Sequence, residues 1–384
     1  MSAAVPAYDL APVFAILATG LVLASGPLIW FWRRRRGDAT GARLRALALL
    51  ALFLSFDLVI LGAFTRLSDS GLGCPDWPGC YGHASPVGAR APINAAEAAV
   101  PTGAVTHTKA WIEMAHRYSA TAIGVLVIAL AILAVVERRR GRLVASPRWA
   151  VATVLWIIAQ GAFGALTVTM SLYPAIVVLH LVGGLGLLAM LALQAELYEP
   201  RPLPLGRTLR VGLAVVAALA LVQIILGGWV STNYAVLACR DFPTCQGQWW
   251  PDMNFAEGFV VLRPLGISGE GGFLPFQALT AIHMAHRIGA LVVLPMLLWL
   301  AARLAAAGDP QARRWGGWLA GIAAWQLASG LGNVLLGWPL LTALAHTAGS
   351  AALVVMLTTL LARSRPLRQR VESPWPSRAQ HVAP

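Results

Sequence analysis

Nine stretches of roughly 20 or more predominantly apolar residues, near 12–32, 46–66, 111–136, 149–170, 174–197, 209–230, 278–302, 315–336 and 340–362, constrain this chain more than any other feature. About 20 such residues are what an α-helix needs to cross a bilayer. Inside lipid the backbone must satisfy its own hydrogen bonds, so spans of this kind are helices. The chain is 58% hydrophobic and 12% charged over 384 residues, too apolar for a soluble protein of that length. The expectation is an all-α integral membrane protein.

The net charge of +13 would suit a nucleic-acid binder if it were gathered on one surface. It is instead distributed by loop. Basic residues cluster at Arg33–Arg36 with Arg43 and Arg45, at Arg138–Arg140 with Arg142 and Arg148, at Arg201, Arg207 and Arg210, at Arg303, Arg313 and Arg314, and in the tail from Arg363. These segments are every second connection plus the C-terminus, and they hold 22 of the 29 basic residues. The positive-inside rule puts them in the cytoplasm and the N-terminus outside. Nucleic acid is excluded as a partner; the lipid bilayer is the environment. Residues 1–11 carry no basic residue and the arginine block follows the first apolar run, so 12–32 reads as a retained anchor, not a cleaved signal.

The long external loops, 67–110 and 231–277, follow the second and sixth spans, and they repeat. Leu61-Gly62 with Cys74-Pro75-Asp76-Trp77-Pro78-Gly79-Cys80 recurs as Leu226-Gly227 with Cys239-Arg240-Asp241-Phe242-Pro243-Thr244-Cys245, at a constant offset of 165. Met114-Ala115-His116-Arg117 recurs as Met284-Ala285-His286-Arg287, and Trp156 and His180 match Trp325 and His346. The expected architecture is two parallel-repeat four-helix bundles plus one extra N-terminal transmembrane helix. The divisions are 1–45, extra helix and basic linker; 46–200, N-terminal half; 201–362, C-terminal half; and 363–384, basic cytoplasmic tail. The only cysteines are Cys74, Cys80, Cys239 and Cys245. On the outside of the membrane each pair is expected to be a disulfide, either a structural staple or a redox-active dithiol. A zinc site fits less well, since the spacing is not C-x2-C.

His83, His107 and His381 read as solvated loop or tail residues. His116, His180, His286 and His346 sit at repeat-related positions within spans, roughly 8–13 Å below the outer helix ends. One intramembrane histidine could simply bond a neighbouring helix. Two per half, on the second and fourth helix of each unit, can face one another across a bundle core and hold a metal or heme. No Cys, Asp or Glu stands at ligating spacing from His180 or His346, which favours iron porphyrin, since it brings its own four nitrogens. Gly183, Gly184 and Gly186, and Ala348 and Gly349, would admit a macrocycle or serve helix packing. Arg117 and Arg287 follow a ligand histidine and could meet a heme propionate or a protein carbonyl. Glu113, one turn before His116, has His283 as its counterpart, so an acid stands in one half only. Asp57, matched by Val222, is a buried polar partner or a proton relay.

Together, Thr65 to Gly82 as a string, Glu113-x-x-His116-Arg117, His180, the second cysteine pair, His286-Arg287 and His346 resemble the heme A synthase family over roughly residues 46–362. The resemblance implies a bacterial cytoplasmic (inner) membrane enzyme that oxidises the C8 methyl of heme O to the formyl group of heme A for terminal oxidases. It implies His286 and His346 as axial ligands of a resident heme b. It places heme O as substrate between His116 and His180, with Glu113 as acid or base. An electron donor, ferredoxin-like or a quinol, is required; heme O synthase and a second copy of the chain are further candidate partners. The rival readings are a two-heme cytochrome b that moves electrons without modifying heme, a transporter built of parallel repeats, and a non-catalytic oxidase assembly factor. The extra first helix departs from the family's eight-helix pattern.

Overall fold

The structure, a computed structural model, describes residues 10–364. His381 and the tail beyond Ser364 lie outside the described residues. The helices are α1 (Ala11–Arg35), α2 (Thr40–Leu67), α3 (Arg90–Ala99), α4 (His107–Arg139), α5 (Arg148–Thr169), α6 (Pro174–Tyr198), α7 (Arg207–Thr232), α8 (Phe255–Gly258), α9 (Phe276–Ala305), α10 (Pro310–Leu335) and α11 (Leu340–Arg363). No strand occurs among the described residues; the loops contribute only isolated bridges such as Cys80 with His83 and Cys245 with Gln248.

Eight helices are long and apolar enough to cross a membrane: α1, α2, α4, α5, α6, α7, α9 and α11. The ninth expected span, 315–336, is α10. It has the same 26-residue length as α7 but falls short in apolarity. Gln311, Arg313 and Arg314 open it, Gln326 and Asn333 interrupt it, and glycine takes many of its remaining positions. Its start is fixed by Asp309, whose side chain accepts from the amides of Gln311 and Ala312 at 2.7 and 2.8 Å. His107, expected in a loop, is the first residue of α4: Thr106 caps that helix by accepting from Lys109 N, so the helix begins four residues before its apolar run.

Two sets of four helices close the same ring of contacts. In the first, α2 meets α4 and α6, and α5 meets the same two; in the second, α7 meets α9 and α11, and α10 meets the same two. Helix α1 stands outside both, packed on α4. The inner end of each ring is filled. Leu44, Leu47, Leu126, Leu130 and Leu191 are all 1% exposed or less in the first, as are Leu213, Leu297, Leu300 and Leu319 in the second. Lipid is as apolar as leucine, so close packing and dispersion hold these cores. Polar chemistry is left to the outer ends.

At the outer junction Arg66 Nη2 donates to the Ser231 carbonyl at 2.8 Å, and the Tyr234 hydroxyl donates to Asp69 Oδ1 at 2.6 Å. Ser231 is 165 residues after Arg66, and Tyr234 is 165 after Asp69. Residues touching their own sequence counterparts mark where an axis relating the halves would run. At the opposite end Glu196 joins the halves, accepting from Arg363 at 2.8 Å with Arg45 at 3.6 Å.

Candidate functional site

Each cysteine loop is a closed turn, with disulfides Cys74–Cys80 and Cys239–Cys245 and a Cα–Cα distance of 4.8 Å in both. The shared aspartate explains the motif. Asp76 accepts from the amides of Tyr81 and Gly82, both at 2.6 Å, and Asp241 from those of Gln246 and Gly247 at 2.8 and 3.0 Å. Tyr81 and Gln246 have φ of 48° and 55°, a left-handed backbone that L residues seldom adopt, and the carboxylate holds it there. The Thr244 hydroxyl, then the Gly247 amide, pull the Asp241 carboxyl down to about 2.

Arg117 and Arg287 fasten these loops to the helices. Arg117 Nη1 donates to the carbonyls of Asp76, Pro78 and Gly79, and Arg287 to those of Cys239, Asp241 and Thr244. The structure therefore realises the carbonyl partnership. Glu113 is buried and also turned toward the loop: Oε2 accepts from Cys74 N at 2.8 Å and Oε1 pairs with Arg117 Nη2. Its counterpart His283 places Nδ1 3.0 Å from the Ala235 carbonyl. An ion pair at this level thus exists in the first half, while the second has Arg287 with carbonyls alone.

The four histidines lie six to ten residues from the outer starts of α4, α6, α9 and α11, roughly 9–15 Å along each helix. Each ring rests on a glycine of a neighbouring helix. A Cβ at Gly62 would stand 3.1 Å from His116 Nε2, and one at Gly227 would stand 2.9 Å from His286 Cε1. At Gly164 and Gly330 it would stand 3.4 Å from Cε1 of His180 and His346 respectively. These glycines, at offsets of 165 and 166, clear the room in which the rings stand. The glycines that follow the ligands do something else: Gly183 packs on Gln160, Gly186 on Trp156, and Gly349 on Trp325 and Gln326.

His286 and His346 face one another with ring centres 6.4 Å apart and planes at 82°. Two imidazole nitrogens on one metal, each about 2 Å from it, set the ring centres about 6 Å apart. At His346 the hydrogen bonds leave the correct nitrogen for that task. Ser329 Oγ donates its single proton to the Trp325 carbonyl at 2.7 Å, so at 3.0 Å it accepts from His346 Nδ1–H. The Nε2 lone pair of His346 is therefore bare. Gln223 Nε2 lies 3.0 Å from His286 Nδ1 and donates to the His286 carbonyl at 2.9 Å; an amide nitrogen only donates, so this contact does not hold a proton on His286 Nδ1. Neither Nε2 has a hydrogen-bond partner among the described residues. Among those residues no three His, Cys, Asp or Glu side chains converge as a protein-only metal site would need. The donor set fits a macrocyclic iron, with two axial imidazoles.

His116 and His180 are close enough to interact electrostatically, but their rings are not held in the same way. His116 has no hydrogen-bond partner among the described residues. The Gln160 carbonyl is the nearest acceptor to the His180 ring, yet His180 Nδ1 makes no hydrogen bond of ordinary geometry. Asp57 is exposed on α2 with no partner among the described residues, so it is not a buried polar partner. Trp156 and Trp325 also differ: Trp156 donates to the carbonyl three residues after His180, Trp325 to the one just before His346. The true counterparts are Gln160 and Gln326, at offset 166.

Comparison with known proteins gives the same bearing. The COX15-CtaA family, described as cytochrome oxidase assembly protein, matches residues 45–358. A heme A synthase of Shewanella oneidensis is 39% identical over 318 residues, 81% of this chain and 94% of that protein. Heme A synthases of Symbiobacterium thermophilum and Halalkalibacterium halodurans are each 30% identical, covering 79% and 56% of this chain and 90% and 69% of their own lengths.

Proposed function

The chain belongs to the COX15-CtaA family of cytochrome oxidase assembly proteins, and from that premise we propose that it is a heme A synthase of the bacterial cytoplasmic membrane, oxidising the C8 methyl of heme O to a formyl group. The observation that carries the reading is the His286–His346 pair, ring centres 6.4 Å apart, with neither Nε2 hydrogen-bonded among the described residues. These residues would hold heme b, which supplies one-electron redox chemistry when bound.

Conversion of a methyl to a formyl group replaces two hydrogens with one oxygen, a four-electron oxidation whose oxygen atom, from water or dioxygen, and whose oxidant come from outside the chain. His116 and His180 would orient heme O in the other half, against Gly62 and Gly164. Glu113 stands one turn above His116 and joins that level to the external loop through Cys74 N and Arg117. A carboxylate there can take a proton from the pocket and hand it outward, a role for which His283, bonded to a carbonyl, gives no equivalent. The disulfide loops, held by Arg117 and Arg287, close the outer end against water. The distribution of the basic connections supports an N-terminus outside and a C-terminus in the cytoplasm, with α10 crossing as a ninth span beside the eight candidate spans; a cytoplasm-only reporter fused after Pro384 should be active, and activity of a periplasm-only reporter there would overturn that orientation.

The direct test is pigment analysis. The chain, expressed with a source of heme O in a strain lacking its own synthase, should purify with heme B and convert heme O to heme A. Heme B bound with no heme A formed would favour a two-heme cytochrome b and refute the synthase reading.

A further inference from the structure

The two histidine pairs are built on the same frame but differ in what holds the rings. Aligned at offset 166, Gln160-Gly161-Ala162-Phe163-Gly164 of α5 matches Gln326-Leu327-Ala328-Ser329-Gly330 of α10. The glycines approach Cε1 of His180 and His346 at the same 3.4 Å, and the carbonyls of Gln160 and Gln326 sit beside the same rings. Two residues differ, Gly161 against Leu327 and Phe163 against Ser329, and the second bears on the ring: Ser329 accepts from His346 Nδ1, whereas Phe163 offers no acceptor and His180 Nδ1 is left buried without a hydrogen bond. The other helix pair also differs, at offset 165. Gln223 Nε2 donates to the His286 carbonyl and faces His286 Nδ1 as a donor, while its counterpart is Leu58. His116 in consequence presents Nε2 to its glycine, where His286 presents Cε1: the ring is turned.

A ligand imidazole whose Nδ1–H is bonded is fixed in tautomer and orientation and is the stronger base. One with no partner is free to turn and is the weaker ligand. We propose that Ser329 is a positioning residue that makes the C-terminal pair a site from which heme is not released, and that Phe163 keeps the N-terminal pair loose so that heme can enter and leave. This rests on the reading that His286 and His346 hold the resident heme. It divides the labour physically: an electron store must stay, and a substrate heme must exchange with its product.

The test uses the full chain, purified with its heme, and follows transfer of heme b to excess apomyoglobin together with the midpoint potential. Ser329→Ala should speed release about 10- to 100-fold. It should also move the potential upward, because a less basic imidazole favours ferric iron less. Ser329→Thr, which keeps the hydroxyl, should behave as wild type, so a general packing defect at this position would be visible as its failure. Phe163→Ser should do the reverse in the other half, slowing departure of the substrate-side heme so that it co-purifies in larger amount. Wild-type release rate and potential in Ser329→Ala would overturn the proposal while leaving the heme site intact. If His286→Ala keeps its full heme b complement, the site itself has been misassigned and the proposal falls with it.

Discussion

Replacing either His286 or His346 with alanine is expected to abolish the low-spin, bis-histidine heme b spectrum of the purified protein, while His116→Ala leaves most of it. Low-spin iron in this site would need two strong nitrogen ligands, and in the proposed assignment His286 and His346, with ring centres 6.4 Å apart, would supply them. Removing one leaves a single imidazole, a cavity where the other ring stood, and no neighbouring side chain able to substitute. Gly227 and Gly330, which face the rings, have no side chains, and Gln223 and Ser329 are turned to Nδ1 positions. The loss should be nearly complete in optical and electron paramagnetic spectra, not graded. His116 is on α4, in the other ring of helices, and shares no contact with this pair. A full low-spin spectrum in His286→Ala would show that the halves have been exchanged in this assignment. Loss of the signal in His116→Ala as well would show that ligands pair across the halves.

Much of this arrangement is legible in the chain because the membrane simplifies the code. Apolar runs of 20 residues have one structural outcome, so α1, α2, α4, α5, α6, α7, α9 and α11 are readable directly. A repeat, at offsets of 165 to 170, then points from a residue in one half to its matching position in the other. Contacts between helices are less legible. The glycines that matter to the histidines are Gly62, Gly164, Gly227 and Gly330, on partner helices, whereas the glycines nearest in sequence to the ligands pack elsewhere. Adjacency misleads for the same reason with Arg117 and Arg287. Each lies beside a ligand in the chain, but successive helical residues point about 100° apart, and both side chains turn outward to the loop carbonyls. Gln223 and Ser329 carry no signal of their own until their counterparts, Leu58 and Phe163, are set beside them. The motif C-x-D-aromatic-P-x-C is visible at once, yet its aspartate acquires a reason only when the amides it accepts from are seen.

Glu113→Gln is expected to lower heme A output by about 10²–10⁴-fold, the range for loss of a general acid or base, while the heme b complement and both disulfides remain. Sequence reading places Glu113 on the face of His116, and the structure adds that both its oxygens are engaged, by Cys74 N and by Arg117. That geometry makes two roles separable. A glutamine side chain has nearly the same shape and an oxygen that can still accept from Cys74 N, so the loop anchor should survive. It can neither take up a proton nor balance the Arg117 guanidinium, which would still have the Asp76, Pro78 and Gly79 carbonyls to hold it. The fold does not itself demand a carboxylate here, since His283 fills the matching position and the second loop is held as firmly. The measurement is the ratio of heme A to heme O in membranes from a strain lacking its own synthase, with protease resistance of the 68–106 loop followed in parallel. Wild-type heme A in Glu113→Gln would remove the residue from proton transfer. Loss of heme A together with a newly cleavable loop would make Glu113 an anchor for the Cys74–Cys80 turn. Loss of heme A with an intact loop and an unchanged heme b spectrum is the result that a proton-handling group between His116 and the outside requires.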